Sequence, residues 1–207
     1  MRRLALLLCA ALLVAGPATA ADLVVSVRGD DGTVLQDAVV VAKPASGAAS
    51  PGPVRFSWPL TMTQQNIAFN PYVLIVPVGS EVGFPNKDKV RHHVYSFSAA
   101  KRFELKLYGE QQERTVVFDK AGIVPLGCNI HDQMIGFIYV TDSPYTAKTN
   151  AAGDAVIRGL PGGPASMTVW HPDMKARAPL AKPVAGPRET VVLDLRPPSA
   201  RRKKMAM

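Results

Sequence analysis

Short β-branched runs separated by chain breakers set the tightest limit on this fold. Eighteen prolines and sixteen glycines are spread through 207 residues, about one position in six. Neither residue suits a helix interior, so a long helix has nowhere to form. Between the breakers lie Leu23-Val24-Val25-Ser26-Val27, residues 38–41, 72–78, 115–118 and 136–140, and Val191-Val192-Leu193-Asp194-Leu195. Each run is bounded by Gly, Pro, Asp or Asn, the pattern of strands joined by turns. The nearest approach to a helix, residues 99–108, sets Phe103, Leu105 and Leu107 at alternate positions, which is strand spacing. An all-β fold is expected.

The length allows one large or two small domains with a real core. An apolar content of 47% with 19% charged residues excludes both a disordered polyelectrolyte and a membrane bundle. Residues 1–20 read as an export signal. Arg2 and Arg3 precede an apolar stretch over 4–15, Gly16-Pro17 breaks it, and Ala18-Thr19-Ala20 fits a small-x-small cleavage site. That stretch is shorter than the roughly 20 residues a membrane span needs. Bulky Leu8 before Cys9 argues against lipid attachment there. Cleavage makes the periplasm the expected location and leaves Cys128 as the one cysteine of the mature chain. A lone thiol in an oxidising compartment is prone to oxidation and mispairing, so this one should be used or protected.

Composition shifts divide the mature chain. Residues 21–57 hold two strands around the turn Gly29-Asp30-Asp31-Gly32, followed by a linker-like stretch over 43–53 rich in Ala, Ser, Gly and Pro. Residues 58–142 are the densest in strands. Residues 143–196 carry the turn Asn150-Ala151-Ala152-Gly153, then Leu160-Pro161-Gly162-Gly163 and a strand over 165–170. Residues 197–207, with Arg201-Arg202-Lys203-Lys204, make a basic tail expected to be disordered. The net charge of +8 and this tail suit an acidic partner or anionic lipid, but a solvated charged end is the simpler reading. With no basic–aromatic surface motif, an exported chain is not expected to bind nucleic acid, and membrane association is not expected either.

The chemistry concentrates in two short stretches. One runs Asn86-Lys87-Asp88-Lys89-Val90-Arg91-His92-His93-Val94; the other runs Gly127-Cys128-Asn129-Ile130-His131-Asp132-Gln133-Met134. In the second, Cys-x2-His-x2-Met puts a thiolate, an imidazole and a thioether on one tight loop between two strands. A thiolate and two imidazoles in a plane, with a weak axial methionine, make a blue-copper electron-transfer site. The loop supplies three such ligands, so one more histidine must come from a distant strand, and His92 is placed to provide it.

Residues 58–142 resemble a small cupredoxin of the plastocyanin and amicyanin type. The resemblance rests on Pro77-x-Gly79, Phe84-Pro85-Asn86, His92-x-Val94, Phe118-Asp119 before Gly122, and the Cys128/His131/Met134 loop, whose shortness is closer to amicyanin. It implies a Greek-key β-sandwich holding one mononuclear type 1 copper. His92, Cys128 and His131 would be equatorial ligands, Met134 axial, and Asn86 would steady the cysteine sulfur or its loop from outside the ligand set. The family usually has Asn after its first ligand histidine; His93 stands there, so His93 is the alternative to His92. The resemblance further implies that His131 is the electron's exit, inside an apolar patch for which Pro85, Ile130 and Ile135 are the candidates. Residues 23–42 and 149–172 resemble the two parts of a carboxypeptidase regulatory-like (transthyretin-type) sandwich, with the copper region inserted between them.

Other uses of these residues fit less well. A Cys–His hydrolase would need an orienting group and an oxyanion hole. A structural zinc site would use more thiolates, and methionine is a poor zinc ligand. Asp88 and Asp132 read as solvated turn residues. His171 reads as a surface residue beside a core-packed Trp170. The expected function is an exported carrier of single electrons, not an enzyme, working between redox proteins such as a cytochrome or oxidoreductase. A copper carrier or storage protein is the alternative, and a sandwich that has lost its metal is a third. Nitrite reduction would need a second copper site, for which only His93 and His171 remain.

Overall fold

The computed structural model describes residues 20–45 and 53–197. Apart from Ala20, the expected export signal lies outside the described residues, as do 46–52 of the linker stretch and 198–207 of the basic tail. The chain opens with β1 (Ala21–Gly29) and β2 (Val39–Pro44). Then come β3 (Thr63–Gln65), β4 (Ala68–Asn70), β5 (Val73–Pro77), β6 (Ser80–Gly83), β7 (His92–Phe97), β8 (Arg102–Tyr108), β9 (Thr115–Phe118), β10 (Gly122–Cys128) and β11 (Ile135–Thr141). It closes with β12 (Thr146–Lys148), β13 (Asp154–Leu160), β14 (Ala165–Trp170), β15 (Leu180–Pro183) and β16 (Arg188–Leu193). No helix occurs among the described residues, so none is long and apolar enough to cross a membrane.

The sheets stack in layers, and the alternation of side chains along each strand explains why. The outermost sheet has the order β13-β1-β16 and turns Val25, Val27, Ile157 and Val191 inward. Beneath it lies the sheet β12-β2-β14-β15. In β2 the four residues Val39, Val40, Val41 and Ala42 are all buried, so both faces of that strand are covered. The pairing of β2 with β14 matches Val40 to Val169 and Val39 to Trp170. Trp170 meets Phe137 at 5.4 Å and Tyr139 at 5.9 Å, both on β11 of the five-stranded sheet β5-β11-β10-β7-β8. The middle sheets therefore share one core with Val73, Ile75 and Tyr139.

The far face of the five-stranded sheet belongs to a second core. Leu74, Val76, Ile138, Val124 and Leu126 pack there with Phe84, Phe118 and Met62, beneath the β6–β9 and β3–β4 pairs. Gly136 is required on this face, because a Cβ there would approach Cβ of Phe69 at 2.8 Å. The exposed edge of β5 is covered by donors: Trp58 Nε1 reaches the Ile75 carbonyl at 2.8 Å and Lys148 Nζ reaches that of Val73 at 2.9 Å. Such blocking keeps a free edge from pairing with another chain. Sheet membership also shows the chain path: β1, β2 and β12–β16 build two sheets, and β3–β11 build the rest.

Candidate metal centre

Strand pairing brings the two chemical stretches together. Cys128 ends β10 opposite Val94 of β7. On β7, His92, Val94 and Ser96 are buried, while His93 and Tyr95 are half-buried and Phe97 is exposed on the opposite face. Period-two alternation thus puts His92 on the same face as Cys128 and takes His93 away. The next loop turns tightly: the Met134 N–H donates to the His131 carbonyl at 2.9 Å, and the Asn129 N–H donates to that of His93 at 3.3 Å. This carries the His131 imidazole back over the thiol and buries Met134 in the core that holds Cys128.

Three donor atoms converge. Sγ of Cys128 lies 3.9 Å from Nδ1 of His92 and 3.6 Å from Nδ1 of His131, and the ligand atoms of all three residues lie within 4.8 Å of one another. Bonds of about 2.0–2.3 Å set at about 120° would leave sulfur and nitrogen roughly 3.6–3.7 Å apart. The donors therefore fit a small ion in a plane between them. A soft thiolate with imidazoles suits copper, and among the described residues Cys128 is the one cysteine, so no second thiolate favours zinc. His92 is fully buried and Cys128 nearly so, while His131 is half-buried.

Asp88 holds the first histidine. Its Oδ2 is 2.8 Å from His92 Nε2 and also accepts the Ile67 N–H at 2.9 Å; its Oδ1 accepts the Asn66 N–H at 2.6 Å. Burial alone would push this carboxyl up, but the donors from Ile67, His92 and Asn66 outweigh it and hold it below 3.8. An ionised Asp88 accepts a proton-bearing Nε2, which leaves Nδ1 with its lone pair toward Cys128. Asp88 is therefore not the solvated turn residue expected from its neighbours. The signal that could have found it is a carboxylate within one turn of a ligand histidine, the usual second contact of such a ring.

Asn86 is also fully buried, and its bonds serve the loop that carries His92. Nδ2 donates to the carbonyls of Val90 at 2.9 Å and Tyr108 at 3.1 Å, and Oδ1 accepts the Asp88 N–H at 2.8 Å. Below it, the Tyr108 hydroxyl donates to the Phe84 carbonyl at 2.8 Å and meets the amide of Gln64, which is fully buried. Burial pushes this hydroxyl up to about 12, so it remains a donor.

The other two histidines are occupied elsewhere. His93 Nε2 lies 2.9 Å from Glu104 Oε1 without an aligned hydrogen bond. His171 is buried, at 5% exposure, and not on the surface as its position beside Trp170 suggested. Its Nε2 is 3.1 Å from the Gln36 carbonyl and its Nδ1 accepts the Asp173 N–H at 3.2 Å, so it tethers two loops. Ile130 and Ile135 are 50% and 40% exposed near His131, Pro85 is half-buried, and Asp132 is exposed on the ligand loop.

An all-β protein with a cysteine sulfur and two imidazoles converging on one point is the class that fold and site define. Similar structures have been solved. A copper-containing nitrite reductase from Thermus scotoductus is 27% identical over 44% of this chain and 25% of its own, with a TM-score of 0.39. A purple cupredoxin from Nitrosopumilus maritimus is 23% identical over 39% of this chain and 96% of its own, with a TM-score of 0.35. A reduced amicyanin variant is 20% identical over 48% of this chain and 98% of its own, with a TM-score of 0.37. The chain thus spans about a quarter of the nitrite reductase's length. No protein-family model matches the chain, and no curated protein does.

Proposed function

We propose that this chain is an exported type 1 (blue) copper protein that carries single electrons between redox partners. Residues 58–142 would be its cupredoxin module, and 143–196 with 21–57 its flanking sandwich. The observation that carries the reading is the convergence of Cys128, His92 and His131 within 4.8 Å, with Met134 buried on the same loop. Copper bound there would take up and release one electron. His92 and His131 would hold it by Nδ1, Cys128 would hold it as a thiolate, and the Met134 thioether would be the fourth ligand. Burial of His92 and Cys128 excludes water, and strands on both sides fix the donors, so they need not move between oxidation states. Half-buried His131 would be the electron's way out, toward a cytochrome or an oxidoreductase.

Periplasmic location rests on the export signal over 1–20. The rival reading is a copper carrier or storage protein. The test is to cycle the copper-loaded full chain between oxidised and reduced forms beside a Cu(I)-selective chelator. An electron carrier returns to its starting spectrum over many cycles with its metal retained. Transfer of the ion to the chelator on the first reduction would show the carrier instead.

A further inference from the structure

The hairpin tip between β3 and β4 stands beside the metal centre in a conformation that needs support. Asn66 and Ile67 form it with φ of 58° and 55°, the left-handed region that a β-branched side chain seldom enters. Both of their N–H groups end on Asp88, the carboxylate that also holds His92. The His92 ring is 5.0 Å from that of His131. One acidic side chain therefore fixes an isoleucine, 36% exposed, at the rim of the centre. Val90, two residues after Asp88, and Ile130, next to His131 in the ligand loop, are also exposed, at 44% and 50%.

The loop between Asn86 and His92 gives this rim its charge. Asn86 pins the loop from within by bonding the Val90 carbonyl and the Asp88 N–H, and the Lys87 N–H is tied to the Gln64 carbonyl at 2.9 Å. The loop's acid, Asp88, faces inward onto its three donors. Its cations Lys87, Lys89 and Arg91 are exposed and, among the described residues, in no ion pair. Asp132 on the ligand loop and Glu110, beside the Gln111 N–H that bonds the Asn86 carbonyl, are the exposed acids on the neighbouring segments, so three cations stand against two carboxylates.

We infer that Ile67, Val90 and Ile130, ringed by Lys87, Lys89 and Arg91, form a docking surface for a redox protein whose own apolar contact is bordered by carboxylates. The inference rests on the electron-transfer reading and adds the partner's charge and the hairpin's part in meeting it. Apolar contact favours close approach of the two centres, and opposite charge at the border raises the rate of encounter. A loop already pinned by Asn86 loses little freedom on docking. A second copy of this chain is disfavoured, since it would bring like charge to like charge.

The test uses the reduced, copper-loaded full chain and two one-electron oxidants of opposite charge. Hexacyanoferrate(III) takes the electron to become hexacyanoferrate(II), and tris(phenanthroline)cobalt(III) takes it to become the cobalt(II) complex. The anion's rate should fall with rising ionic strength, by about tenfold across the salt range, and the cation's should rise. Reversing the loop with Lys87→Glu, Lys89→Glu and Arg91→Glu should invert both slopes. Reversing Arg28, Arg158 and Arg188 to Glu on the outermost sheet changes the net charge equally and should leave both signs unchanged. Identical effects from the two triple variants would overturn the inference. In the metal-free protein, titration with redox-inert hexacyanocobaltate(III) should move the amide resonances of Ile67, Val90 and Ile130; shifts confined to other regions would overturn it. Binding to phosphatidylglycerol vesicles that disappears in the loop variant would assign the surface to a membrane and equally overturn it. Failure to form a reducible copper protein would refute the electron-transfer reading, while the metal-free titration still judges the surface.

Discussion

Replacing Asp88 tests the link between the hairpin tip and the first histidine. Asp88→Ala removes one acceptor group from three donors. The His92 Nε2–H is fully buried, so stranding it costs about 1–3 kcal/mol. The Asn66 and Ile67 N–H groups lie in an exposed turn that water can reach, so each loses only about 0.5–1.5 kcal/mol. The sum is about 2–6 kcal/mol, a large part of a domain's stability. Asp88→Asn keeps the shape but turns an N–H₂ toward one of the three donors, and should cost about half as much. Urea unfolding of the metal-free chain, followed by Trp58 and Trp170 fluorescence, reads the midpoint. Copper affinity should also fall by about 10–100-fold, the usual effect of losing such a contact. A loss below about 0.5 kcal/mol for Asp88→Ala, with copper affinity unchanged, would refute the idea that this carboxylate orients the ring.

Three further outcomes follow from packing and charge. Trp170→Ala should destabilise the chain by about 3–5 kcal/mol in the same unfolding assay, because Trp170 packs the flanking sheets onto Phe137 and Tyr139; a loss under about 1 kcal/mol would mean that the layers do not share a core. Gly136→Ala should cost about 1–3 kcal/mol, since its Cβ would lie 2.8 Å from that of Phe69, and a wild-type melting curve would contradict this. Glu189 is held below 4.5, first by the Lys182 ammonium and then by the N–H groups of Ala185 and Gly186. Its contribution is therefore complete above that value and lost as pH falls through the folded one. Glu189→Gln should flatten the decline in stability between about pH 5 and pH 3, and an unchanged acid limb would count against that role.

Much of the fold was legible where burial is one-sided or complete. The apolar runs in β1, β5, β9, β11 and β14 stand out because each lines a core. The hairpin of β3 and β4 did not, for Thr63–Gln65 is polar and its turn uses Asn66 and Ile67 where a glycine would announce it. β12 and β15 are only three and four residues long, and β13 shows a brief alternation of Ala155 and Ile157 between two turns, so none of the three stands out. At the proposed centre, Cys128, His131 and Met134 are candidates by their spacing on one loop. The choice between His92 and His93 depended on which face of β7 turns inward, and adjacent residues in a strand differ in nothing else. Asp88 was missed because its partners, Asn66, Ile67 and His92, come from separate segments that only the folded chain brings together.

The visible spectrum of the full chain after addition of copper(II) addresses the core claim directly. A thiolate bound in the plane with two imidazoles gives an intense charge-transfer band toward the red, which Cys128→Ser should abolish, His92→Ala should disrupt and His93→Ala should leave in place. A colourless loaded sample, or a band that survives loss of the Cys128 sulfur, would contradict the assignment.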